Sequence, residues 1–203
     1  AMGVAGTEVT KEAATLVLSD DNFSTIVKAV AEGRTIYDNI VRFLRFQLST
    51  NLGALLTILA APLLGLPLPF TPVQILWVNL IMDGPPAMAL GVDRAAPDVM
   101  DRRPRDPREP ILTLSRLAVL ALFGLVMAIG TLGVLIWGLE TRTAAEAVTL
   151  AFTTFVLFQI FNVFNARLER GSAVSRHSLT NGWLWIALAG RSEEHTSELQ
   201  SLT

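Results

Sequence analysis

The sequence of 203 residues contains no cysteine and only two histidines. Without thiols the chain cannot form disulfides, thiolate metal sites or a thiol nucleophile. His177 and His195 both lie in polar stretches, so neither a zinc nor a haem site is expected. The net charge of −2 and the pI of about 5.7 give no reason to expect nucleic-acid binding.

Charge is also scarce and unevenly placed. Charged residues make up 17% of the chain and hydrophobic residues 51%, and the mean hydropathy is +0.48. Long stretches carry no charge, whereas short ones are dense in arginine. This pattern predicts an all-α membrane protein: a helical transmembrane bundle with a long cytoplasmic stalk helix. Residues 1–22 lack the pattern of a signal peptide and a convincing start, so we expect an internal fragment.

Residues 1–22 are predicted to be the end of a soluble α/β domain. "TKEAATLVL" begins as a helix and runs into Leu16–Leu18, which are typical of a buried strand. "SDDN", residues 19–22, is suited to cap the helix that follows. Apolar residues then recur every three or four positions from Phe23, and the pattern runs without a proline into the apolar stretch that begins at Phe43. One helix from Phe23 to Gly65 would be roughly 65 Å long and half of it would stand outside a bilayer; the alternative is two helices hinged near Gly33.

The transport region is predicted to cover residues 23–190. Apolar runs place membrane spans at about 43–66, 72–92, 114–139 and 147–166, with a truncated fifth run at 181–190. Arginines collect on one side of them, which by the positive-inside rule makes the stalk and the Arg-rich loop Asp93–Pro110 cytoplasmic. These arginines are Arg42, Arg45, Arg94, Arg102, Arg103, Arg105, Arg108, Arg167, Arg170 and Arg176.

The last segment has a different character. "RSEEHTSELQSLT", residues 191–203, follows the fifth run abruptly and resembles a translated sequencing adapter. We expect an artefactual tail, with a genuine polar C-terminus as the alternative. Glu193, Glu194 and His195 are therefore assigned no ligand role.

The segment "VNLIMDGPPA", residues 78–87, places a carboxylate and two prolines in an apolar run. Asn79 and Asp83 are four apart, which puts them on one helical face. Asp83 is costly at this depth unless it faces an ion, a cavity or a partner. Pro85 and Pro86 cannot donate to the carbonyls of Ile81 and Met82, which predicts a broken helix with free backbone oxygens. Carboxylate, amide and carbonyl oxygens suit a hard cation such as Ca²⁺; the alternative is a kinked helix whose Asp83 is satisfied by a neighbouring helix.

Polar residues of other spans are candidate partners. Asn51 and Gln159 fit ion ligation and interhelical hydrogen bonding equally well, whereas hydrogen bonding is favoured for Asn162 and Asn165. One carboxylate leaves a divalent ion under-neutralised, so a second acid is expected from a helix outside this sequence. The predicted metal-site residues are Asp83, Asn79, Asn51, Gln159, Ile81 and Met82, and no catalytic residue is predicted.

Several motifs resemble those of P-type cation-transporting ATPases. Residues 1–34 resemble the end of the phosphorylation domain and the stalk; "ILWVNLIMDGPPAMALG" and "DVMDRRPRDPREPIL" resemble the sixth membrane helix and following loop of calcium pumps. The resemblance implies that Asn79 and Asp83 are calcium ligands and that Asn51 occupies a fifth-helix ligand position. Ala54, Met82 and Gln159 replace polar or acidic residues of reticulum-type pumps. "NLIMD", residues 79–83, and Gln159 instead resemble plasma-membrane-type pumps, and this resemblance implies one Ca²⁺ per cycle.

The resemblance also implies partners outside this sequence. "DKTGT", "TGDGVND" and a Walker A loop are absent, so ATP, Mg²⁺ and the phosphorylated Asp belong to a missing N-terminal portion, and this polypeptide alone is expected to be inactive. The expected parent moves Ca²⁺ out of the cytoplasm, in a bilayer that the arginine-rich, lysine-poor composition suggests is a bacterial plasma membrane. Alternatives are a pump for Mn²⁺, Na⁺ or H⁺, a passive cation channel or transporter, and a structural bundle.

Overall fold

The computed structural model of the protein describes residues 1–106 and 109–167. Within those ranges the regular structure is helical and no β-strand forms, which confirms the predicted all-α membrane fold. The described chain divides into two compact units, Ala1–Asp38 with Arg94–Arg105, and Asn39–Asp93 with the described residues after Arg105. The predicted run at 181–190 and the predicted tail at 191–203 lie outside the described residues.

The first unit begins with a short helix, α1 (Glu8–Glu12), whose first turn is capped by the Thr7 hydroxyl. The expectation of a buried strand at Leu16–Leu18 is wrong. Leu18 alone is buried, and it forms an isolated bridge with Met2, whereas Leu16 and Val17 are exposed. A strand needs a neighbouring strand to satisfy its backbone, and here only the first three residues pair with this segment.

The long helix α2 (Ser24–Leu63) spans 40 residues, or about 60 Å. Its start follows the predicted capping cluster: the Asn22 side chain accepts from the Ser24 amide at 3.0 Å, and Asp20 accepts from the Thr25 hydroxyl. That hydroxyl is the largest cause lowering the pKa of Asp20. The helix continues through Gly33 without interruption, so the single-helix prediction is confirmed and the hinge is wrong.

Among the described residues, three helices are long and apolar enough to cross a membrane: α2, α5 (Leu114–Thr141) and α6 (Ala144–Arg167). Threonine side chains define two of their starts. The Thr113 hydroxyl accepts from the Arg116 amide at the start of α5, and Thr143 and Glu146 exchange backbone-to-side-chain hydrogen bonds at the start of α6. Satisfying the free amides of the first turn fixes where each helix begins.

The predicted span at 72–92 is divided into three helical pieces. These are α3 (Pro72–Trp77), a π-helix (Val78–Asp83) and α4 (Gly84–Gly91). The expected break at the prolines takes a different form, because the backbone stays right-handed helical through Asp83 and Gly84. Pro85 and Pro86 lie in the first turn of α4, where a missing N–H costs least. The irregularity is thus a widened turn before the prolines and not an unwound gap.

Apolar clusters hold the second unit together. One joins Phe46 of α2 to Leu90 of α4 and Val163 of α6, and another joins Ala61 of α2 to Leu135 of α5 and Ala147 of α6. A third surrounds Phe155, which contacts Phe70 at a ring-centroid distance of 4.9 Å. These contacts fix α4 and the π-helix between α2 and α6, and so they position Asp83.

In the first unit, the arginine-rich segment folds onto the beginning of α2. Arg34 donates to the carbonyls of Val99 and Arg102, at 2.9 and 3.0 Å. Arg102 is paired with both Asp98 and Asp38, and these contacts raise the pKa of its guanidinium. The segment is therefore held by charge and backbone hydrogen bonds.

Candidate cation site

Asp83 is the last residue of the π-helix and its side chain is buried, with the residue only 1% exposed. It serves as the N-cap of α4 by position, yet its carboxylate makes no capping hydrogen bond. The carboxylate is instead directed to neighbouring helices. A π-turn leaves one residue out of the regular α-helical register, which is how a side chain of this segment is re-aimed toward the interior.

Two glutamines contact the two oxygens of this carboxylate. The amide of Gln159 in α6 donates to Asp83 Oδ1 at 3.2 Å, and the amide of Gln47 in α2 donates to Oδ2 at 3.4 Å. Both glutamines are neutral, so they orient the carboxylate and satisfy lone pairs without adding charge. Three elements, α2, the π-helix and α6, therefore meet at one acidic group.

Gln159 has a second feature that points to a ligand. The residue is 0% exposed, and its Oε1 atom is buried without a hydrogen-bond partner. A buried acceptor without a partner costs about 1–3 kcal/mol. A cation bound beside Asp83 would use this oxygen, and the donor set of one carboxylate and one amide oxygen fits a hard cation.

One helical turn further along α6, Asn162 forms a second polar contact with α2. Its amide donates to the hydroxyls of Ser49 at 2.7 Å and Thr50 at 3.2 Å. All three residues are buried. The expectation that Asn162 forms an interhelical hydrogen bond is confirmed, and this layer holds α2 and α6 together beside Gln159.

The other predicted residues are placed differently. Asn79 and Asn51 are exposed, whereas Asp83 is buried. Asn165 and Ile81 are half-buried. The backbone of Met82 is part of the π-helix, while its side chain lies outside the description. Of the residues proposed from the sequence, the structure brings together Asp83 and Gln159.

Sequence reasoning missed Gln47 and the Ser49–Thr50 pair. These residues belong to "FQLSTN", residues 46–51, in which four of the six side chains are polar within an otherwise apolar run. That density was a usable signal, since polar residues inside a membrane segment generally face a partner. Only Asn51 was taken from this group, and Asn51 is exposed whereas Ser49 and Thr50 are buried.

The groups of this cluster that could contact a metal ion are oxygen atoms. Among the described residues no group of three or more His, Cys, Asp or Glu could hold a metal ion. The cluster instead combines a single carboxylate with amide and hydroxyl groups, which favours hard, oxygen-binding cations over thiophilic or imidazole-bound metals.

Comparison with known proteins gives a consistent result. Residues 67–191 match the family described as cation transporting ATPase, C-terminus. A calcium-transporting ATPase of Bacillus subtilis is 45% identical over 185 residues, which are 90% of this chain and 21% of that protein. The endoplasmic reticulum-type calcium-transporting ATPase 2 of Arabidopsis thaliana is 45% identical over 136 residues, which are 67% of this chain and 13% of that protein. The calcium-transporting ATPase type 2C member 1 of Mus musculus is 53% identical over 106 residues, which are 52% of this chain and 12% of that protein.

The chain spans about a fifth or less of the length of these relatives. The matched family is one of cation transporters. The helices of membrane-spanning length and the buried Asp83 are consistent with that family. The chain belongs to the family of cation-transporting ATPases, of which it carries the C-terminal region.

Proposed function

We propose that this chain is the transport region of an ATP-driven P-type pump that moves Ca²⁺ out of the cytoplasm. The relatives are named calcium-transporting ATPases. The observation that carries the proposal is the buried Asp83 carboxylate beside the unpartnered Gln159 oxygen, because this pair offers a desolvated cation a charge and a neutral ligand.

The proposed role of each residue follows from its contacts. Asp83 supplies the charge, Gln159 supplies an oxygen, and Gln47 orients the carboxylate from α2. The carbonyls of Ile81 and Met82 and the side chains of Asn51 and Asn79 remain proposed ligands. ATP and Mg²⁺ act in parts of the pump outside this chain, and we propose a bacterial plasma membrane as its location, supported by the 90% coverage against the Bacillus relative.

Asp83→Asn tests the ion site in the full-length pump. The substitution keeps the shape and removes the charge that would balance the cation, so calcium-dependent phosphorylation from ATP should be lost. Asp98→Asn is the matched control, because Asp98 is an exposed acid that shares Arg102 with Asp38. Calcium-dependent phosphorylation retained by Asp83→Asn at unchanged calcium affinity would reject Asp83 as a main ligand.

The number of ions per cycle is a separate prediction. Within the described residues, Asp83 is the one carboxylate in the interior of an apolar segment, and Gln159 beside it is neutral. A single interior charge here favours one divalent ion per cycle. Transported ⁴⁵Ca²⁺ per ATP hydrolysed should therefore approach one, whereas a ratio of two would contradict the proposal. Repeating the assay with Mn²⁺ distinguishes the ions, since oxygen ligands alone separate them poorly.

A further inference from the structure

A second buried charged cluster lies in the same unit as Asp83, at the far end of α4. Arg42 of α2 contacts Asp93, which follows α4, with 3.6 Å between Nη1 and Oδ2. The two side chains are only 9% and 2% exposed. A buried ion pair is costly to desolvate, and removing one partner leaves an uncompensated charge. A pair in this position calls for a role beyond orientation of the chain in the membrane.

Asn39 connects this pair to the backbone of α4. Its Oδ1 accepts from Arg42 Nη1 at 3.0 Å, and its Nδ2 donates to the carbonyls of Asp93 at 2.8 Å and Gly91 at 3.2 Å. The contact with Arg42 fixes which end of the Asn39 amide is the donor. Asn39 thereby satisfies a carbonyl at the C-terminal end of α4, which has no partner within its own helix. We refer to Arg42, Asn39 and Asp93 as the Arg42 ring.

The ring acts on the helix that begins directly after Asp83. The helix α4 has eight residues, and packing of its Leu90 against Phe46 and Val163 fixes it between α2 and α6. The Arg42 ring fixes the other degree of freedom, the position of α4 along α2, by holding its last carbonyls. Any sliding or rotation of α4 would carry Asp83 away from Gln47 and Gln159.

We propose that Arg42, Asn39 and Asp93 are positioning residues of the cation site: the ring holds the end of α4 on α2 and so sets the place of the Asp83 carboxylate. This inference rests on the proposed function. Arg42 Nε is buried without a hydrogen-bond partner. The contacts of the ring therefore use Nη1 of the guanidinium and leave Nε without a hydrogen bond.

The test measures calcium-dependent phosphorylation of the full-length pump as a function of free Ca²⁺. Arg42→Gln and Asp93→Asn should each raise the calcium concentration for half-maximal phosphorylation about tenfold, with the maximal level retained at saturating Ca²⁺. The double variant should resemble the more affected single variant, because both changes break the same ring. Asp98→Asn, the same chemical change at an exposed ion pair, should shift the value less than twofold.

Arg42→Lys is included in case Arg42→Gln does not fold. Lysine keeps the positive charge, but it cannot contact Asp93 and Asn39 with the geometry of a guanidinium. It should give a smaller shift of about threefold. Thermal stability in detergent without Ca²⁺ is measured alongside. A lower melting temperature with unchanged half-maximal calcium in Arg42→Lys would reduce the ring to a structural contact and overturn the inference. Wild-type protein without any calcium dependence would reject the proposed function itself, which is a separate failure.

Discussion

Helix α6 contacts its neighbours in two different ways. Toward α2 and the π-helix it uses amides, with Gln159 on Asp83 and Asn162 on Ser49 and Thr50. Toward α5 it uses close approach, because a Cβ added at Gly138 would lie 2.9 Å from that of Ala147. Apolar contact alone gives little drive for helices to associate in lipid, so both polar bonds and close packing are needed. The polar contacts with α2 and the π-helix position the side chains of the candidate site. The close packing against α5 holds together the helices that carry them.

Of the substitutions that compare these two regions, the one with the largest expected effect lies in the polar region. Gln159→Leu removes both the donor to Asp83 and the unpartnered oxygen while keeping most of the volume. The calcium concentration for half-maximal phosphorylation should rise about 100-fold, equivalent to about 2.7 kcal/mol, because a buried charge loses a partner and the ion loses a ligand.

Gln159→Glu is the matched control for that experiment. It keeps an oxygen at the same place and adds charge, so calcium dependence should be retained. If Gln159→Leu and wild type have the same calcium affinity, Gln159 is a structural contact only. The polar region would then, like the close-packed region, serve only to hold helices together.

A smaller effect is expected in the close-packed region. Gly138→Ala places a methyl 3.0 Å from the Ala147 Cα, and neither residue has a flexible side chain that could move away. The helices must separate slightly, which should destabilise the protein by about 1–3 kcal/mol in thermal unfolding.

Gly133, in the same helix, is the control position for Gly138. It is exposed, and a Cβ there would meet nothing within 4 Å. Gly133→Ala should therefore stabilise α5, by up to about 1 kcal/mol through helix propensity. Equal melting temperatures for the two variants would mean that α5 and α6 are not in close contact at Gly138. Calcium affinity should be unchanged in both.

Much of the fold was readable from the sequence because hydrophobic periodicity and length report membrane helices directly. The continuous helix α2 was predicted through Gly33, and α5 and α6 were predicted to within a few residues of their bounds. The strand at Leu16–Leu18 was wrong because local apolar character does not supply a pairing partner. The break near Pro85 was predicted in the right segment but with the wrong geometry.

The site was less predictable, for a related reason. Asp83 and Gln159 could be chosen because polar residues are conspicuous in apolar runs. The spacing that groups Asn79 with Asp83 did not indicate that Asn79 is exposed while Asp83 is buried. Gln47 was missed although it lies in a visibly polar stretch. The Arg42 ring was also missed, since Arg42 was used only as evidence of membrane orientation.

The sequence by itself determined that this is a helical membrane protein with an acid and two prolines inside an apolar segment, because composition and periodicity carry that information locally. Only the tertiary structure decided which polar groups meet. The π-turn before Gly84 re-aims Asp83, and the packing of α4 between α2 and α6 brings Gln47 and Gln159 to its two oxygens. Those encounters join residues separated by 36 and 76 positions, and local patterns do not encode such distances.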